Sequence, residues 1–131
     1  MSPLAQSLWV ALGAAVGANA RYWLGILFKA KVGDGFPWAT FSINLLGSFL
    51  IGLVAVVLIR REGIWEGWHP LLIVGLLGGF TTFSAFSMEN LHLIQAGRLG
   101  EMVAYTVASC GAGICLAALG AGLAQRLISS S

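Results

Sequence analysis

Charged side chains are scarce here: seven Lys and Arg and five Asp and Glu among 131 residues, 9% in all. A soluble domain carries roughly 25%. The scarcity leaves four windows with no charge at all, residues 1–20, 35–59, 67–88 and 102–125. Each is near or above the roughly 20 residues a helix needs to cross the hydrocarbon core of a bilayer. A large soluble fold is thereby excluded. A net charge of +2 gives no footprint for nucleic acid. Met1 to Ala20 holds no Lys or Arg, so a signal peptide's basic head is missing. The apolar run also continues through Tyr22-Trp23-Leu24-Gly25-Ile26-Leu27-Phe28, as a retained span does. Cysteine is limited to Cys110 and Cys115, five apart and on different helix faces. Neither has a His or carboxylate nearby to complete a metal site, so both read as small apolar residues. Nucleotide-binding, triad and metal motifs are missing too, so an enzyme is not expected.

What is present is apolar length. The windows predict an all-α integral membrane protein, one domain over residues 1–131, with helices at about 4–28, 38–59, 70–95 and 102–125. Trp38, Trp65 and Trp68 fall near span ends, where tryptophan anchors to the interface. The His69 and His92 side chains receive no role. Lys29, Lys31 and Arg98 share one side, and Arg60, Arg61 and Arg126 the other, with Arg21 inside the first span. Such a flat count has two readings. The chain inserts both ways up and pairs as an antiparallel dimer, or a residue such as Arg21 fixes one orientation. Self-association is expected either way, because four short helices hardly enclose a lined pathway alone and symmetric dimers are the commonest assembly.

The polar residues inside the spans carry the rest. Gly13 and Gly17 form a small-residue pair for close helix packing. Arg21 either marks the mouth of an anion pathway or snorkels to the interface. Thr40, Asn44 and Ser48 recur every four residues on one face. They glue helices together or line a narrow wet path, where the Asn44 amide can solvate an anion. The third span contains Gly78-Gly79-Phe80-Thr81-Thr82-Phe83-Ser84-Ala85-Phe86-Ser87. Its paired glycines and stiff threonines predict a helix break at Gly78-Gly79. At membrane depth, unwound backbone is tolerated only where protein, water or an ion satisfies it. Phe83 and Phe86 share a face, with Glu89 three residues on, and Ser84 stands among them. Ring edges are positive and suit an anion. Tyr105 and Ser109 form a hydroxyl stripe on the fourth helix, which Gly113 and Ala117 continue without hydroxyls. The Ser129–Ser131 tail is expected to be disordered.

Three segments, Gly17-Ala18-Asn19-Ala20-Arg21-Tyr22, Asn44-Leu45-Leu46-Gly47-Ser48 and Gly78 to Ser87 with Glu89, resemble the signature segments of the Fluc (CrcB) fluoride channels. The resemblance covers all four helices, and the third-helix segment is its most specific part. It implies an antiparallel, dual-topology homodimer in a bacterial plasma or inner membrane, with two fluoride pores. Asn44 is similar to the family's pore-lining asparagine. Phe83 and Phe86 resemble the phenylalanines whose edges face fluoride, contributed by both subunits. Ser84 and Thr40 join them as candidate pore residues. Gly78 and Thr81 match positions whose main-chain carbonyls hold a central sodium ion. Tyr105 and Ser109 resemble the start of a hydroxyl track that Gly113 and Ala117 do not continue. Arg21 resembles the arginine near the pore entrance, and Glu89 matches an acidic position. The implied activity is passive, selective fluoride export, with no enzyme chemistry. The main rival is a proton-coupled exporter of the small multidrug type, which depends on a carboxylate in the first helix; this first helix has none. Further rivals are a fluoride/proton antiporter and a membrane scaffold.

Overall fold

The computed structural model describes residues 1–60 and 65–130. Arg61 and Glu62, Ser131 and the side chain of Trp65 lie outside what is described. Helix α1 spans Pro3–Val32. The Ser2 hydroxyl accepts from Ala5 N–H at 3.3 Å and Pro3 fills the first turn, a standard pairing at a helix start. Lys29 and Lys31 occupy the last turn, where cations suit the negative end of the helix dipole. They carry α1 four residues beyond the expected end at 28, until Gly33 turns the chain at φ 75°.

Helix α2 spans Trp38–Arg60. The third span is assembled from pieces: α3 (Trp65–His69), a π-helical segment (Pro70–Leu77), α4 (Gly78–Phe80) and α5 (Phe83–Gln95). Eight residues of π-helix are unusual. Nothing in the apolar run Leu71 to Leu77 signals them. Helix α5 stops in a glycine cap: Gly97 sits at φ 74° and Arg98 N–H donates to Leu93 O at 2.9 Å. Arg98 then donates to Gly35 O at 2.7 Å, tying the two short loops together, and ion-pairs with Glu101.

Helix α6 spans Leu99–Ser129, longer at both ends than the expected 102–125. The tail expected to be disordered is therefore helical as far as Ser129. Ser129 and Ser130 hydroxyls donate back to Gln125 O and Arg126 O, one turn earlier, at 2.8 and 3.0 Å.

Helices pack in two pairs. α1 lies against the π-helical segment and α4, and α2 against α6. Both seams are closed through glycine. A Cβ on Gly17 would collide with Leu76 O, and one on Gly120 with Phe49 O. Backbones can approach this closely only where side chains are missing. The inward core is small, chiefly Ile43, Leu58, Leu77, Phe80, Leu93 and Tyr105. Large apolar side chains such as Leu12, Val16, Val107 and Ile114 point outward. Among the described residues, four helical stretches are long and apolar enough to cross a membrane: Pro3–Val32, Trp38–Arg60, Gly67–Gln95 and Leu99–Ser129.

Candidate ion-binding site

The third span leaves helical geometry three residues later than expected, at Thr81-Thr82 instead of Gly78-Gly79. Gly78 is helical (φ −64°, ψ −37°), whereas Thr81 (ψ 158°) and Thr82 (φ −150°, ψ 112°) are extended. Extended backbone suits two β-branched residues, and Gly79 instead serves packing: a Cβ on it would lie 2.8 Å from Ala14 O. The interruption is satisfied in detail. Thr82 Oγ1 accepts from Ala85 N–H at 3.2 Å, capping α5. Asn44 reaches from α2 and pairs with the Thr82 backbone on both sides. Thr82 N–H donates to Asn44 Oδ1 at 2.8 Å, and Asn44 Nδ2 donates to Thr82 O at 3.1 Å.

These contacts divert two donors. In a continuous helix Thr82 N–H would bond the Gly78 carbonyl and Ala85 N–H the Thr81 carbonyl. Here they go to Asn44 and to the Thr82 hydroxyl. The Gly79 carbonyl accepts from Arg21 Nε at 3.2 Å. Arg21 therefore turns inward onto the third span.

A cavity of about 360 Å³ opens beside the break. It brings together six of the expected site residues: Asn44, Gly78, Thr81, Phe83, Phe86 and Ser109. Phe83 is 79% exposed, and its ring centroid lies 5.6 Å from that of Phe86. Ser109 Oγ is buried and has no hydrogen-bond partner. That is costly unless something else accepts its proton.

Thr40, Ser84, Tyr105 and Arg21 do not line this cavity. Ser84 Oγ lies 3.3 Å from Thr82 Oγ1. Arg21 and Thr40 border a second cavity of about 480 Å³, and Thr82 borders both. Thr40 Oγ1 donates to Glu89 Oε1 at 2.6 Å and Tyr105 O–H donates to Oε2 at 2.8 Å. Glu89 thus joins α2, α5 and α6, with the Tyr105 ring 1% exposed behind it. Spacing alone does not disclose this hub. The one hint is that Glu89 follows Phe86 on one helical face. The Asn44–Thr82 pairing is equally hidden, since it links residues 38 apart. Among the described residues no group of three His, Cys, Asp or Glu could hold a metal ion.

The family model described as CrcB-like protein, Camphor Resistance (CrcB), matches residues 8–121. A protein of Allorhizobium ampelinum named fluoride-specific ion channel FluC is 48% identical over 117 residues, 89% of this chain and 92% of that one. A protein of the same name from Thermus thermophilus is 48% identical over 122 residues, 92% of this chain and 96% of its own. A third of that name, from Magnetococcus marinus, is 52% identical over 92 residues, 70% and 75% of the two chains. With the family match running through all four apolar helices, and relatives 48% identical over about nine-tenths of the chain, the chain belongs to the CrcB family and is a multi-pass membrane protein.

Proposed function

We propose that the chain is a passive, selective fluoride channel working as an antiparallel homodimer with two pores, and that it lets fluoride out of the cytoplasm. The relatives' names support the ion. The observation that carries the reading is the cavity beside Thr82, where an unpartnered Ser109 hydroxyl meets the Phe83 and Phe86 rings and Asn44. Fluoride holds its water tightly. A pore selective for it must replace that water with donors at close quarters. Ser109 offers an O–H, Asn44 keeps the second N–H of its amide, and the phenylalanines offer positive ring edges. Larger halides spread the same charge over more surface and gain less from so tight a set. Release needs each contact to be weak, and ring edges meet that need. Arg21, beside the second cavity, raises the local concentration of anions at the entrance.

Sodium is the proposed structural ion. The fit rests on the Gly78 and Thr81 carbonyls, which have lost their helical donors to Asn44 and to Thr82 Oγ1. Bare carbonyls of an unwound span suit a hard monovalent cation, and a two-fold axis would double two of them to four. When bound, the ion adds a fixed positive charge at the break. A flat Lys and Arg balance and the exposed Phe83 ring support the antiparallel pair.

The test is fluoride efflux from liposomes. Phe83→Ile and Asn44→Asp are expected to reduce it sharply while the protein still elutes as a dimer. Unchanged efflux in both variants would remove this lining.

A further inference from the structure

We infer that Ser48 and Ser109, on facing helices, form a two-hydroxyl fluoride site at the α2–α6 seam; this rests on, and deepens, the conduction reading. Both side chains line the same cavity of about 360 Å³. Ser109 Oγ is buried without a partner. One turn further along α6 is Gly113, buried, on the same face as Ser109. Gly113 presents only a hydrogen to its neighbour. That neighbour is Ser48: a Cβ built on Gly113 would lie 3.4 Å from Ser48 Oγ. Where α6 stops offering hydroxyls, α2 supplies one.

The Ser48 hydroxyl is available. It donates to Asn44 O at 2.8 Å, one turn back on its own helix. That carbonyl already has its helical N–H partner, so the extra bond is a weak one that a serine can abandon by rotating. The Ser109 proton has no competing acceptor at all. An anion passing Phe83 and Phe86 would therefore meet two O–H donors from opposite walls. Neither is charged, which keeps release fast.

The experiment is a hydroxyl swap read as fluoride efflux from liposomes. Ser48→Ala is expected to slow efflux about ten-fold or more, the loss set by one charge-assisted hydrogen bond. Adding Gly113→Ser to Ser48→Ala should restore most of the rate, because the new hydroxyl enters the space Ser48 Oγ vacates. Adding Gly113→Ala should not. A Ser48→Ala protein as fast as wild type overturns the site. So does a loss that Gly113→Ser leaves in place, or one that Gly113→Ala repairs equally. Ser109→Ala removes the partner hydroxyl from the other helix and carries the same expected loss. It decides the matter if Ser48→Ala does not fold, and an undiminished rate there is equally fatal. Wild-type protein that passes no fluoride defeats both this site and the conduction reading. Conducting wild type, slow Asn44→Asp and fast Ser48→Ala together defeat only the serine site.

Discussion

At Thr82 the backbone needs a donor and an acceptor at once, and the Asn44 amide supplies both. An amide matches a peptide group in shape and in its pattern of N–H and C=O, and no other side chain except glutamine does so. Asn44→Ala would leave both Thr82 groups without partners. A buried unsatisfied group costs about 1–3 kcal/mol. The variant should therefore unfold at a clearly lower temperature than wild type in detergent, besides losing flux; an equal melting temperature would make the pairing incidental. Glu89 holds a similar position one layer away. Its two oxygens accept from Thr40 and Tyr105. Glu89→Gln retains one acceptor oxygen and turns its NH2 toward the other hydroxyl, whose own proton then loses its acceptor, so stability should fall by about 1–3 kcal/mol. Denaturation of Glu89→Gln beside Thr40→Val/Glu89→Gln checks this: the second change should cost less than it does in wild type. Residue types alone mark Asn44, Ser109 and the phenylalanines, because polar or aromatic groups stand out in an apolar span. They cannot mark the Thr82 partnership, which depends on where two helices cross.

Along a single element, the four spans are legible from charge-free length, yet their ends are not. Lys29 and Lys31 look like loop residues, but the helix dipole and snorkelling stems hold them in α1. Composition points to the right decapeptide for the break in the third span, but to the wrong pair within it. Glycine's low helix propensity is overridden where its missing side chain permits contact with α1. Threonine's stiffness and its capping hydroxyl then set the break. Thr82→Ala removes that cap and should cost about 1 kcal/mol; Thr82→Ser should cost less, and thermal unfolding of the pair measures the difference. The α2–α6 seam gives a sharper contrast. Gly120→Ala drives a Cβ into Phe49 O, whereas Gly25 has nothing within 4 Å. Gly120→Ala should lower the yield of folded protein and its melting temperature, and Gly25→Ala should leave both unchanged.

The whole molecule presents far more apolar surface than it buries, with a core of a few side chains inside four long helices. Lipid accounts for much of that surface. On the proposed antiparallel pairing, the open cavity beside Phe83, whose ring is 79% exposed, would face a second copy of the chain. If the Gly78 and Thr81 carbonyls share sodium across that pair, exchanging sodium for a bulky organic cation should lower both flux and dimer stability, and returning sodium should restore them. The most direct measurement is paired efflux from liposomes carrying the purified protein, fluoride against chloride under the same gradient. Fluoride should leave rapidly and chloride at the rate of protein-free vesicles; equal leakage of the two ions, or of neither, would contradict a donor-lined path beside Thr82.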